Sequence, residues 1–262
     1  MDWIDVNGVK LEVARIVPAA GNPGLAPLVF LHEGLGSVAM WQGRNASWPQ
    51  AVCDATGRAG VIYSRHGYGG SDPVADVRGR GRLPPDYMHT QALEVLPALL
   101  DALGISRPVL VGHSDGGTIA LLHASRFDVQ ACIVMAPHVM VEDVSIASIE
   151  QARVAWEKGD LRQRLSRYHA DVEGAFWQWN DVWLSEAFRG FDIRADCRRI
   201  QAPVLAIQGL DDAYGTMAQI EQIAPTQGRV VLEKVPACGH SPHKDQPALT
   251  TQLVRDFLKA SS

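Results

Sequence analysis

Cysteine is scarce and scattered. Cys53, Cys132, Cys197 and Cys238 have neither the paired short spacings of a zinc site nor the density of a disulfide-stapled secreted domain, so free thiols and a cytoplasmic location are expected. Long apolar runs are also missing, and none approaches the roughly 20 residues that a membrane-spanning helix needs. Met1 leads directly into Asp2, Trp3 and Ile4, without the basic stretch and apolar run of a secretory signal. Positive charge is not in excess: 24 Lys and Arg stand against 29 Asp and Glu, a net charge of -5. That balance argues against nucleic acid as a partner, because phosphate backbones are gripped by many cations at once. The one basic cluster, Arg78, Arg80 and Arg82 interleaved with Gly79 and Gly81, reads as a solvated surface loop. Repeats and Ser/Gly-rich linkers are absent, so a single core domain with an insertion is expected from the 262 residues.

What the sequence does contain is 47% hydrophobic residues, arranged in short runs. Residues 1–17 alternate around Asn7-Gly8, a dipeptide that tolerates positive backbone dihedrals and closes a two-residue hairpin. Six apolar runs follow, at Leu28–Leu31, Gly60–Tyr63, Pro108–Val111, Val129–Ala136, Val204–Ile207 and Arg229–Val235. Each is bounded by Gly, Pro or polar residues, as suits strands buried on both faces. Helical patterns at Tyr87–Leu103, Gly116–Arg126 and Ala248–Leu258 alternate with them, which implies a mostly parallel sheet flanked by helices. In such α/β sheets ligands bind beyond the carboxyl ends of the strands.

The alternation breaks between residues 137 and 194. No buried strand is visible there, and helical stripes are expected through Leu161, Leu165 and Tyr168 and through Trp177, Leu184 and Phe188. Trp156, Trp177, Trp179 and Trp183 concentrate apolar surface in this segment, which reads as a lid over a site. The expected division is therefore a core of residues 1–136 and 195–262 with a helical lid of residues 137–194.

The chemistry is carried by Val109-Leu110-Val111-Gly112-His113-Ser114-Asp115-Gly116-Gly117, a strand running into Gly-x-Ser-x-Gly and then into a helix. A sharp strand-to-helix turn lifts a serine hydroxyl clear of the sheet, and the flanking glycines leave room for the chain to fold so tightly. Serine needs a base to take its proton, and an imidazole oriented by a carboxylate does so near neutral pH. Gln208-Gly209-Leu210-Asp211-Asp212 and Pro236-Ala237-Cys238-Gly239-His240-Ser241-Pro242 follow later strands in the required order. His240 alone of the nine histidines has the strand, turn and chain position of a base. His113 is expected to pack beneath the turn, His138 to touch substrate and His243 to lie on the surface. The Asp115 N–H, at a helix start, is an expected donor to a developing oxyanion.

These three segments resemble the signatures of the alpha/beta-hydrolase superfamily, in its order and over nearly the whole chain. The resemblance implies that fold with a helical lid after the sixth strand, Ser114 as nucleophile, His240 as base, and Asp212 rather than Asp211 as acid, three residues after Gly209. It also implies a second oxyanion donor from His32-Glu33-Gly34-Leu35-Gly36-Ser37, which departs from the family's His-Gly-x-Gly because Glu33 intervenes. Alignment on Gly-Leu-Gly selects Leu35, the preferred reading, and alignment on His32 selects Gly34. Arg65-His66-Gly67-Tyr68-Gly69-Gly70-Ser71 is similar to the family's structural turn beneath the site. Gly34, His138, Trp156, Trp177, Trp183 and Tyr214 are the candidate substrate contacts.

The implied activity is hydrolysis of a small-molecule carboxylic ester, lactone or thioester, with no metal or cofactor. Two other enzymatic readings stand beside it. Gly34-Leu35-Gly36-Ser37 followed by Trp41 resembles enol-lactonases, and the lid resembles that of carbon-carbon hydrolases of ring-fission products. A non-catalytic ligand receptor on the same scaffold is the reading from another class. The oligomeric state is not readable.

Overall fold

The computed structural model describes residues 1–43, 47–225 and 228–261. In chain order the elements are β1 (Asp2–Val6), β2 (Val9–Ile16), β3 (Leu28–Leu31), α1 (Val38–Gln42), α2 (Trp48–Thr56), β4 (Gly60–Tyr63) and α3 (Tyr87–Thr90). A π turn, Gln91–Val95, joins α3 to α4 (Leu96–Leu103), and β5 (Val109–His113), α5 (Asp115–Ala124) and β6 (Ala131–Met135) follow. Then come α6 (Asp143–Lys158), α7 (Leu161–Leu165), α8 (Val172–Trp183), a 3₁₀ turn (Glu186–Gly190) and α9 (Arg194–Cys197). The chain ends with β7 (Val204–Gly209), α10 (Ala218–Glu221), β8 (Val230–Val235), α11 (Pro242–Asp245) and α12 (Pro247–Ala260).

One sheet holds all eight strands in the order β1-β2-β4-β3-β5-β6-β7-β8. The β1–β2 and β2–β4 pairs are antiparallel and every other pair is parallel. Asn7 and Gly8 both take positive φ, 55° and 83°, as the expected hairpin turn requires. The central strands alternate their side chains between two cores. Val29, Leu31, Leu110, Cys132 and Val134 face one, while Leu28, Phe30, Val109, Val111, Ile133 and Met135 face the other. Both faces are covered by helices, which is why these strands read as unbroken apolar runs.

Two expectations are corrected. β8 is an edge strand whose residues, apart from Val235, are half-buried or exposed, because only β7 pairs with it. The helical stripes of the β6–β7 insertion are shorter than expected: α7 stops at Leu165, before Tyr168. α8 stops at Trp183, and the Ser185 side chain caps the next turn by accepting from the Phe188 N–H. The π turn within the α3–α4 helix frees the Ala92 carbonyl for the buried ring of His123, whose Nδ1–H donates to it across 2.9 Å.

Candidate active site

β5 enters the strand-to-helix turn fully buried, and Ser114 then takes φ 52° and ψ −121°. A non-glycine residue held there costs on the order of 1–3 kcal/mol, and the surroundings impose it. A Cβ on Gly112 would lie 2.2 Å from the Gly116 carbonyl oxygen. One on Gly116 would lie 2.1 Å from the Leu31 carbonyl oxygen, so this glycine admits β3 as much as it admits the turn itself.

The acid loop and the histidine loop are drawn together by backbone. Asp211 N–H donates to the Cys238 carbonyl across 2.9 Å, and a Cβ on Gly209 would strike that same oxygen at 2.1 Å. The result puts His240 Nδ1 at 2.9 and 3.0 Å from Asp212 Oδ1 and Oδ2. The Asp212 side chain is 1% exposed and also accepts from Tyr214 N–H at 2.8 Å and Gln208 Nε2 at 3.2 Å. Burial alone would raise its carboxyl, but the His240 and Tyr214 bonds outweigh burial and hold it below its usual range. A carboxylate on Nδ1 leaves Nε2 as the ring's free base.

Ser114 and His240 share a cavity of about 240 Å³ with Gly34, Leu35, Asp115, His138, Trp183 and Tyr214. Ser114 Oγ and His240 Nε2 hydrogen-bond to no described group, and such contacts tighten when substrate fills a site. Neither Gly34 N–H nor Leu35 N–H is used within the described residues, so both remain available as donors. The Tyr214 ring packs against that of His240, with centroids 4.6 Å apart. His138 packs edge-on to Trp183 at 4.9 Å, and burial next to His240 pushes its pKa down to about 3, so it stays neutral. His113 lies beneath the turn as expected, its Nε2–H donating to the His240 carbonyl across 2.7 Å.

Other expected contacts fall elsewhere. Trp156 stacks flat on Phe176 with centroids 4.0 Å apart. Trp177 donates to Glu173 and lies under Arg78, whose guanidinium is 4.0 Å from its ring. Neither lines the cavity, because each ring packs within or outside the insertion rather than beneath it. Arg78 is thus tied down, also pairing with Asp181 at 2.9 Å, although it stays exposed. His243 is not a surface residue: it is 5% exposed, wedged against Trp41 and His113 at 4.7 and 4.8 Å.

Trp179, one of the four lid tryptophans but not among the expected substrate contacts, abuts Gly34 and lines the cavity, as do Leu161, Ile149 and Ala152 beside it, of which sequence reasoning singled out neither Ile149 nor Ala152. For Ile149 and Ala152 the available signal is their three-residue step on α6. Beyond Leu161 a second, larger cavity of about 1080 Å³ opens against Trp41, Trp48 and Lys244. Among the described residues no cluster of His, Cys, Asp or Glu is placed to share a metal ion, and no helix is long and apolar enough to cross a membrane. All four cysteines are free and buried.

The sequence profile of the alpha/beta hydrolase family matches residues 28–253. A putative carbamate hydrolase, RutD, from Pseudomonas savastanoi pv. phaseolicola is 27% identical, the alignment covering 90% of this chain and 95% of that protein. The carboxylesterase YbfK of Bacillus subtilis is 26% identical over 91% of this chain and 82% of its own. Among solved structures, the enol-lactonase from Burkholderia xenovorans LB400 superposes with a TM-score of 0.71 at 22% identity, covering 98% of this chain and 100% of that one. With its eight-stranded sheet, its strained serine between β5 and α5, and a profile match spanning most of its length, the chain belongs to the alpha/beta hydrolase family.

Proposed function

We propose that the protein hydrolyses a carboxylic ester of a small molecule through an acyl-enzyme on Ser114. The observation that carries this reading is the shared cavity. In it a serine held at positive φ meets a histidine whose other nitrogen is bonded to a buried carboxylate. His240 Nε2 takes the hydroxyl proton as Ser114 Oγ attacks the carbonyl carbon, and Asp212 stabilises the resulting imidazolium. The carbonyl oxygen, now negative, is held by the Asp115 N–H and by the Leu35 or Gly34 N–H. His240 then gives the proton to the departing alcohol, and water, activated by the same ring, releases the acid and restores Ser114.

The relatives named as carboxylesterase and carbamate hydrolase support attack at a carbonyl that bears a heteroatom leaving group. The β6–β7 insertion acts as the lid: α6 and α8 supply Ile149, Ala152, Trp179 and Trp183 to the cavity. Its 240 Å³ is the space of about eight waters, which favours a short acyl group on Ser114. The alcohol portion then extends past Leu161 into the larger cavity.

The test is a fluorophosphonate probe combined with a substrate panel. Mass spectrometry should place the adduct on Ser114, and a label elsewhere overturns the assignment. The panel sets aryl and alkyl esters of graded acyl length beside a lactone, a carbamate and a ring-fission product. Preference for the lactone or the ring-fission product would select one of the other enzymatic readings. Ligand binding without multiple turnover on any member would make the protein a receptor.

A further inference from the structure

The acyl-transfer scheme uses only the backbone of Asp115, yet its side chain is a carboxylate 1% exposed, directly beside Ser114. Tyr87 Oη donates to its Oδ2 at 2.5 Å, and Trp183 Nε1 donates to Tyr87 Oη at 3.2 Å. Arg65 Nη2 lies 4.0 Å from the same oxygen, both side chains being almost fully buried. Oδ1 has no hydrogen-bond partner among the described residues. As a device for stability this arrangement is poor, because burying two charges is costly and one oxygen remains unsatisfied.

What Arg65 does with its remaining protons gives the pair another purpose. Nη1 donates to the His32 carbonyl at 2.6 Å and Nη2 to the Glu33 carbonyl at 3.1 Å. A peptide unit is planar and trans, so gripping the Glu33 carbonyl fixes the direction of the Gly34 N–H at the other end of the same plane, and with it the approach to Leu35. Asp115 carries the other donor on its own backbone. One ion pair thus spans the two segments that must hold an oxyanion between them.

We propose that Asp115 and Arg65 are a positioning pair, which holds the Asp115 N–H and the Gly34-Leu35 N–H groups at the separation an oxyanion requires, while Tyr87 and Trp183 tie α8 to the same point. The proposal rests on the acyl-enzyme reading above. Burial raises the Asp115 carboxyl, opposed by Arg65 and Tyr87, and the nearby guanidinium also keeps the carboxylate from repelling the anion it helps to seat.

A merely structural pair and a positioning pair differ in one measurable way. Replacing a buried pair by apolar residues of similar size is often neutral for stability, whereas loosening an oxyanion site costs turnover. The double variant Arg65→Met/Asp115→Leu removes the ion pair at little cost in itself, but it takes a donor from the His32 and Glu33 carbonyls and the acceptor from the Tyr87 hydroxyl. Its melting temperature should therefore drop by several degrees, while its KM, measured below that temperature, stays within about threefold. Its kcat, and its affinity for a trifluoromethyl ketone transition-state analogue, should both fall about 30-fold or more. Tyr87→Phe, which removes one hydroxyl, provides the second variant should the double variant not fold, with kcat down about three- to tenfold at unchanged KM. Parent kcat in the folded double variant, or in Tyr87→Phe where only that folds, overturns the proposal. A loss confined to KM, with analogue affinity intact, does the same. Ser114→Ala separates the two levels: if it abolishes turnover while the pair variants are fully active, only the positioning pair fails. If Ser114→Ala itself turns over, the acyl-enzyme reading fails.

Discussion

Asp211 and Asp212 are neighbours with the same side chain, and the chain direction decides which one matters. Asp211 is exposed, and its backbone N–H ties the loop to Cys238. Asp212 points inward and meets His240 Nδ1. An amide at position 212 would offer N–H to Nδ1 and favour the wrong imidazole tautomer, leaving Nε2 protonated and unable to serve as base. Asp212→Asn should therefore lower kcat by about 10⁴-fold, whereas Asp211→Asn should stay within a few-fold of the parent. Steady-state kinetics on a short aryl ester reads both, and a reversed order would transfer the role to Asp211. Ser114→Ala should remove turnover by about a million-fold as in comparable triads. Its melting temperature should hold or rise, because the smaller side chain removes nothing from the core. Turnover that survives this change would exclude the serine.

At the level of elements, the insertion between β6 and β7 divides its tryptophans by face. α8 turns Trp179 and Trp183 toward Ser114 and Trp177 away from it, while Trp156, on α6, is left to packing. Trp179→Ala should open the cavity next to Gly34 and change the acyl-length profile, with kcat/KM for longer acyl esters altered about tenfold relative to acetate. Trp156→Ala should leave that profile intact and cost about 3–5 kcal/mol of stability through lost stacking on Phe176. Unfolding curves and the ester series separate them, and a profile unchanged in Trp179→Ala would mean that α8 does not select the acyl group. The sequence could not make this division. Four tryptophans in the α6–α8 segment announce an apolar insertion, but which ring faces the cavity depends on how α6 and α8 lie over β5 and β6. The sheet was legible because strand runs and tight glycine turns are local signals, and these made Ser114 and His240 candidates, whereas preferring Asp212 to Asp211 rests on the family resemblance; the structure brings Asp212 and His240 within hydrogen-bonding distance. Arg65, Tyr87, Asp115 and Trp183 converge from four distant segments, and only their packing reveals the network. His243 misled for the same reason: a polar residue after a turn reads as surface until Trp41 and Trp48 close over it.

On the scale of the whole molecule, burial of histidine governs the response to acid. His32, His113, His123, His138, His169 and His243 all have their pKa values lowered, in each case chiefly by burial. A base whose folded pKa is depressed binds fewer protons folded than unfolded, so its contribution is complete above the unfolded value near 6.5. That contribution is lost as pH falls toward the folded value. For His138, 3% exposed with a folded pKa of about 3, the loss at pH 5 is about 2 kcal/mol, at 1.36 kcal/mol per unit. The other five histidines act in the same direction. Together they press against a folding free energy that is only about 5–15 kcal/mol for most domains. Denaturant unfolding followed from pH 8 to pH 5 should therefore show stability nearly flat above pH 7 and falling steeply below 6.5. The carboxylate Asp212, held below its usual range, loses stability in the same direction but only in a more acidic window, below the unfolded carboxylate value of about 4, and leaves this limb untouched. His138→Phe should shed about 2 kcal/mol of the drop between pH 7 and pH 5, whatever its effect at neutral pH, because the phenyl ring has no proton to gain. If the slope below pH 6.5 is the same in His138→Phe as in the parent, His138 is not held neutral by the fold, and its place as an uncharged wall of the Ser114 cavity must be abandoned.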